Sequence, residues 1–282
     1  MINVEKLNFS YTDRPFIKDV SFDVKNGEIF GFLGPSGAGK STLQKILIGI
    51  IKNYSGSVIV NGSGIKSISN SFYEHIGIDF EFPSFYEKLS ARQNLEFFSS
   101  LYSGEKRNID ELLKSVGLQN DADKKAGDFS KGMKSRLNFI KALIHDPELL
   151  FLDEPTSGLD PTNSRLMKDV ILNERSRGKT IILTTHNMED AAELCDRVAF
   201  IVDGEIKAMD TPHNLIMKKS ASEIIYTYKE NGTEKTGRCI LEKTNEDLML
   251  KTLISQNRIL TIHSKEQTLG DVFMDVTGRR LS

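Results

Sequence analysis

The chain has 282 residues, 39% hydrophobic and 27% charged, which suits one large globular domain with a smaller one attached. A net charge of −2 argues against nucleic acid as a partner, because a phosphate-binding surface shows as a basic excess. No apolar run approaches the roughly 20 residues that span a bilayer, so any membrane crossing must belong to another chain.

Residues 1 to about 30 alternate like strands, with Val20, Phe22 and Val24 at period two. Nothing in Met1-Ile2-Asn3-Val4-Glu5-Lys6 resembles a signal peptide. Glu28 to Leu33 reads as a short apolar strand, and Gly34 to Gly39 as a glycine-rich loop. Lys40 to Ile50 reads as a helix carrying Leu43, Ile46, Leu47 and Ile50 on one face, which completes the opening of a βαβ unit. From about Phe82 to Ile144 helical patterns replace strand signals, so an inserted helical subdomain is expected over about 82–145. Ser130 should cap a helix with Met133, Leu137, Ile140 and Ile144 on one face.

Parallel-sheet grammar resumes after Pro147. Leu149 to Leu152 is a buried strand, and Asp160-Pro161 starts a helix that Gly178 ends. Ile181 to Thr185 is a strand and Met188 to Cys195 a helix. Val198 to Val202 and Glu205 to Ala208 form a hairpin across Asp203-Gly204 in a type I′ turn. Residues 1–217 thus form one α/β domain: a parallel-sheet core, an N-terminal antiparallel β subdomain and the helical insertion. Residues 218–282 read as a small α+β appendage: strands Ile224 to Tyr228 and Thr236 to Leu241 about an Asn231-Gly232 turn, helix Glu246 to Ser255, strand Arg258 to Ile262 and helix Leu269 to Val276, opened by a capping box at Thr268-Leu269-Gly270-Asp271. Cys195 and Cys239 lie far apart in no metal spacing and are expected to be reduced, buried thiols.

Two segments carry chemistry. Gly34-Pro35-Ser36-Gly37-Ala38-Gly39-Lys40-Ser41, with Thr42 just behind, matches the P-loop pattern between a strand and a helix. Small residues let successive backbone N–H groups turn inward around phosphate oxygens, and the helix adds its positive dipole end. Lys40 should contact the β- and γ-phosphates, and the Ser41 hydroxyl should bind Mg²⁺. Leu149-Leu150-Phe151-Leu152-Asp153-Glu154 is an apolar strand ending in two acids. At the carboxyl end of a parallel strand Asp153 lands beside the P-loop, able to hold Mg²⁺, and Glu154 can polarise an attacking water.

The P-loop, Phe129-Ser130-Lys131-Gly132-Met133, the Asp153-Glu154 strand, Ser157-Gly158-Leu159-Asp160 and Thr184-Thr185-His186, in this order, resemble the nucleotide-binding domain of ABC transporters across residues 1 to about 217. The resemblance implies a P-loop ATPase that binds ATP and Mg²⁺ and works as a homodimer or heterodimer of ATPase subunits. It implies a peripheral position on the inner face of the cell membrane, through a separately encoded transmembrane permease, in a drug-, antibiotic- or peptide-exporting branch. It implies that Tyr11 stacks on adenine, that Ser130 and Gly132 bind the γ-phosphate of ATP held by the opposite subunit, that Asp160 crosses the dimer interface, and that His186 hydrogen-bonds the γ-phosphate.

Two departures from the family pattern stand out. Lys131 and Met133 replace residues of the usual Leu-Ser-Gly-Gly-Gln signature; Lys131 either adds a cation near the partner's phosphates or points to solvent. Glu81 stands where the family usually has a glutamine Mg²⁺ ligand, and its charged oxygen suits a hard cation. Phe82, Phe85 and Tyr86 either form the groove that receives the permease or simply pack together. The alternative function is a soluble ABC ATPase with no membrane partner. Repair ATPases of that kind carry a long coiled coil between P-loop and acidic strand, and translation types carry two cassettes; neither feature is present.

Overall fold

The computed structural model describes residues 1–218, 223–230, 232–265 and 267–278. They fall into two compact units, one spanning Met1–Thr211 and the other Pro212–Arg280. The division thus comes at Thr211 rather than near residue 217.

The first unit runs β1 (Ile2–Phe9), β2 (Ile17–Val24), β3 (Ile29–Leu33), α1 (Lys40–Leu47), β4 (Ser55–Val60), β5 (Ser63–Gly64), β6 (Ile76–Asp79), α2 (Ala91–Ser99), α3 (Ile109–Ser115), α4 (Lys131–Leu143), β7 (Leu149–Asp153), α5 (Pro161–Ser176), β8 (Thr180–Thr185), α6 (Met188–Leu194), β9 (Arg197–Val202) and β10 (Glu205–Asp210). Strands β2-β1-β4-β5 make an antiparallel sheet. Its alternation is the one the sequence shows: Val20, Phe22 and Val24 point into the core while the residues between them are exposed. The second sheet runs β10-β9-β3-β8-β7-β6 and is parallel except for the edge strand β10. Every residue of β3, β7 and β8 is buried, as expected for strands covered on both faces.

The register places Leu33 opposite Thr185 and Asp153 opposite Thr184, so three strands deliver their carboxyl ends to one edge. Two close approaches fix the local chain path. A Cβ on Gly34 would lie 2.1 Å from the Ile201 carbonyl oxygen, and one on Gly31 would lie 2.6 Å from Cys195 Sγ. Helix α1 ends at Leu47, before Ile50, which is 58% exposed and contributes nothing to the apolar face expected of it. The hairpin between β9 and β10 turns at Asp203 and Gly204, with φ of 52° and 77°, the two positive values a type I′ turn requires. Between residues 82 and 145 the described chain holds α2, α3 and α4 and a single isolated bridge, Ser90 to Lys125. Leu137, Ile140 and Ile144 are fully buried, and Met133 is half-buried.

The second unit opens with a short helix absent from the sequence reading, α7 (Pro212–Met217), and continues β11 (Glu223–Glu230), β12 (Thr233–Ile240), α8 (Leu248–Ser255), β13 (Ile259–Lys265) and α9 (Leu269–Thr277). Its antiparallel sheet has the order β12-β11-β13. Tyr226, Tyr228, Leu250 and Leu253 form its core, and the Tyr226 ring lies against Gly237, where a Cβ would come within 2.3 Å of it. The capping box of α9 is present between Thr268 and Asp271. Asn231, half of the expected hairpin turn, lies outside the described residues. Among the described residues no helix is long and apolar enough to cross a membrane.

Candidate functional site

A cleft of about 240 Å³ opens at the edge where β3, β7 and β8 end. Ser36, Gly37, Gly39, Lys40, Ser41 and Thr42 line it from the loop before α1, and Glu81, Asp153, Glu154 and His186 line it from other segments. Gly37 and Gly39 have φ of 79° and 113°, values that side chains other than glycine tolerate poorly, and Gly39 is the N-cap of α1. Gly34, Pro35 and Ala38 belong to the same loop but do not line the cleft. The Ala38 carbonyl accepts a hydrogen bond from the Gly204 N–H at 3.1 Å, which braces the loop from the β9–β10 turn.

Lys40 is only 8% exposed. Its ammonium donates to the carbonyls of Gly34 at 2.6 Å and Pro35 at 3.2 Å. Burial pushes its pKa down, opposed by the carboxylates of Glu154, Asp153 and Glu81. A buried cation beside three acids, on a glycine-rich loop at the start of a helix, is chemistry for an anion bridged by a metal.

Asp153 ends β7, is buried, and accepts a hydrogen bond from the Thr184 hydroxyl on β8. Glu154 follows with φ of 53°, and its N–H bonds the Thr184 carbonyl at 2.9 Å. That left-handed turn accompanies a second set of bonds: the Glu154 carboxylate meets His186 Nδ1 at 2.9 Å and the Thr185 hydroxyl at 3.3 Å. The acid–histidine pair was not foreseen from the sequence, because the two residues follow directly on strands β7 and β8, which only the fold brings side by side.

Tyr11 stands beside the cleft, 58% exposed, with its hydroxyl 2.9 Å from Thr42 Oγ1. Its ring meets Phe16 edge-on at 5.3 Å, and Phe16, which the sequence reading passed over, lines the cleft itself. Ser130, Gly132 and Asp160 lie outside the cleft. Ser130 caps α4 by accepting from the Met133 N–H at 3.2 Å. Asp160 caps α5, and its bonds from the Asn163 backbone and side chain hold its carboxyl below the usual range.

A second hollow adjoins the first and shares Glu81, Asp153 and Glu154 with it. Asn138 on α4 donates to Asp79 Oδ1 and to the Phe80 carbonyl, tying the end of β6 to that helix. Burial pushes the Asp79 carboxyl up to about 8, opposed by Lys141 and the Asn138 bond, so it is largely neutral at pH 7. The Lys131 ammonium lies against Gly158, 3.5 Å from where a Cβ would sit. The expected aromatic cluster divides: Phe82 stands 81% exposed, whereas Tyr86 packs on Phe97 at 4.9 Å and Phe85 on Phe98 at 6.5 Å.

The donors available for Mg²⁺ are the Ser41 hydroxyl and the carboxylates of Asp153 and Glu81, all hard oxygens on one cleft, which fits this ion. Among the described residues no three His, Cys, Asp or Glu side chains converge as a self-sufficient metal cluster, so bound-ligand oxygens and water would complete the shell.

The description "ABC transporter" matches residues 17–157 of the chain. Over its whole length the chain is 46% identical to a fluoroquinolones export ATP-binding protein of Mycobacterium tuberculosis and covers 95% of that protein. It is 34% identical to Nod factor export ATP-binding protein I of Rhizobium meliloti, over 99% of this chain and 89% of the relative. Among solved structures, an ATP-binding subunit of an ABC transporter superposes with a TM-score of 0.72 at 28% identity, covering 77% of this chain and 92% of the other.

Proposed function

The chain belongs to the ABC transporter family of ATP-binding subunits, and from that premise we propose that it hydrolyses ATP at the cleft below the P-loop to power a separately encoded export permease. One observation carries the reading: Lys40, Asp153, Glu154 and His186, from the start of a helix and the ends of two strands, all face one cleft.

The triphosphate would lie across the N–H groups of Gly37 to Ser41, at the positive end of α1. Lys40 would exchange the Gly34 and Pro35 carbonyls for phosphate oxygens, which relieves a buried ammonium of two weak neutral acceptors. Tyr11 and Phe16 offer aromatic surface for the base. Ser41, Asp153 and Glu81 would hold Mg²⁺, which supplies positive charge against the phosphate oxygens. Glu154 would take the proton of a water attacking the γ-phosphorus as the bond to the ADP oxygen breaks, giving ADP and phosphate. His186, already bonded to Glu154, orients that carboxylate and reaches the γ-phosphate side of the cleft.

Two such subunits, identical or paired with a homologue, would enclose two ATP molecules, with Ser130, Gly132 and Asp160 of each completing the other's site. This accounts for a serine N-cap and an aspartate N-cap that lie outside their own chain's cleft. The cargo class we assign is a drug, antibiotic or peptide-like compound, in line with the export relatives. The test is phosphate release by the purified chain, alone and reconstituted in vesicles with candidate multi-span membrane proteins from the same organism. Mg²⁺-dependent hydrolysis that one of them stimulates supports the reading. Hydrolysis indifferent to every membrane partner would favour a soluble ATPase.

A further inference from the structure

Strand β12 of the second unit is a sheet edge: β11 covers one side, and among the described residues no strand pairs with the other. Long regular edges invite another strand, and proteins usually blunt them. The opposite edge, β13, is blunted, because its pairing with β11 breaks register between Thr227 and Tyr228. The pairing of β11 with β12 runs through eight residue pairs without interruption.

The outward groups of β12 can be assigned. Lys229 lies opposite Glu234, and its N–H bonds the Arg258 carbonyl on the β13 side. Lys229 and Glu234 are therefore a non-bonded pair, and the backbone of Glu234 faces away from β11. Alternation gives Thr236 and Arg238 the same outward backbone. The side chains sort as well: Gly237 and Cys239 face the Tyr226 core, so Glu234, Thr236 and Arg238 stand on the opposite, solvent-facing side. Neither Glu234 nor Arg238 forms an ion pair among the described residues. Lys235, the residue type that most often repels edge partners, is held by Glu230 of its own hairpin at 2.5 Å.

We propose that β12 pairs antiparallel with β12 of a second copy of this chain about a two-fold axis at Thr236. In that register the Thr236 residues face each other as a bonded pair, and Glu234 of each copy lies opposite Arg238 of the other. Backbone N–H and C=O groups of Glu234, Thr236 and Arg238 then form six inter-chain hydrogen bonds. Other two-fold registers lose this match. Centred on Lys235, the strand would set lysine against lysine; centred on Gly237, it would set Arg238 against Thr236 and leave both charges without an opposite. The interface is isologous, so it closes at two copies. It is small, and it gains weight wherever two copies are already held together by another surface, since the second contact then acts at high effective concentration. The proposal does not depend on the nucleotide reading.

The test uses the full chain without nucleotide, carrying Lys40→Ala so that ATP-driven association cannot contribute. Sedimentation equilibrium should show a monomer–dimer system. Glu234→Arg and Arg238→Glu should each weaken it by about tenfold, since each creates two like-charge pairs, and the double exchange should restore it. Thr236→Cys in a Cys239→Ser background should form a covalent dimer through residue 236 under mild oxidation. Monomers throughout, single reversals without effect, a double exchange as weak as the singles, association running past the dimer, or no disulfide at 236 would each overturn the proposal.

Discussion

Glu154 Oε1 and His186 Nδ1 lie 2.9 Å apart, joining the ends of β7 and β8 across the mouth of the cleft. The residue proposed as base is thus oriented before any substrate arrives. Its left-handed backbone and the bond from Thr185 hold it from two further directions. A carboxylate restrained this way needs little rearrangement to accept a proton from water.

Glu154→Gln should therefore lower ATP hydrolysis by at least about a hundredfold while leaving ATP binding intact. The amide keeps the shape and still offers one oxygen to the Thr185 hydroxyl. Size-exclusion chromatography with ATP and Mg²⁺, at a concentration where the nucleotide-free chain is monomeric, should show the variant shifting to dimer. Hydrolysis at the wild-type rate would remove Glu154 from the mechanism.

Lys40→Ala should abolish measurable nucleotide affinity and leave the fold standing. The ammonium makes two bonds to loop carbonyls, but the loop keeps its brace from the Gly204 N–H to the Ala38 carbonyl. Titration with a fluorescent ATP analogue, alongside far-ultraviolet circular dichroism, separates the two effects. Unchanged affinity would leave the P-loop assignment without support.

Glu81 faces both the cleft and the hollow beneath α4, so it touches the metal side and the helical side together. Glu81→Gln should retain ATPase activity. Glu81→Ala should raise the Mg²⁺ requirement a few-fold, by loss of one oxygen donor, and reduce permease-stimulated turnover more. Mg²⁺ titrations of the ATPase rate, with and without the permease, would distinguish them. Superimposable curves for all three proteins would make Glu81 a bystander.

His145 should give the fold an acid-side sensitivity. Its ring stacks on Tyr102 at 3.7 Å, Nε2 lies 2.9 Å from the Ile76 carbonyl, and Nδ1 is buried without a partner. Burial pushes its pKa below the usual 6.5. The unfolded chain then binds a proton near pH 6.5 that the folded chain refuses, so stability is full above that pH and declines as pH falls below it. Asp79, with its raised pKa, contributes the opposite slope in both proteins, so the test is the difference: between pH 7.5 and 5.5 the urea midpoint of wild type should fall relative to that of His145→Gln. Equal slopes would mean that the ring protonates freely in the folded state.

The parts that could be read from the sequence are those whose physics is local. Period-two burial in β2, the apolar runs of β3 and β7, and the Ser130, Asp160 and Thr268 caps each depend on a few neighbouring residues. Phe16 was missed because its place in the cleft depends on a turn packed against Gly204, far along the chain. The bonds from Asn138 to Asp79 and from His186 to Glu154 join residues that only sheet and helix packing brings together. Asp79 in particular reads locally as an ordinary strand-end acid; its neutrality comes from burial, which sequence does not display. Ile50 misled for the opposite reason: it continues the apolar spacing of α1, but the helix has already ended.

The berth that Gly31 leaves for Cys195 has a practical consequence. Cys195 is buried in the first unit with its thiol driven far up by burial, whereas Cys239 is half-buried in the second. The chain has no tryptophan, so it lacks the usual intrinsic fluorophore, yet it carries one thiol in each unit. A maleimide dye added to the native chain should alkylate Cys239 first and reach Cys195 only as the large parallel sheet opens. The Cys195 labelling rate, followed by mass spectrometry, would time the opening of the first unit, with Cys239 in the same molecule as the reference for an accessible thiol.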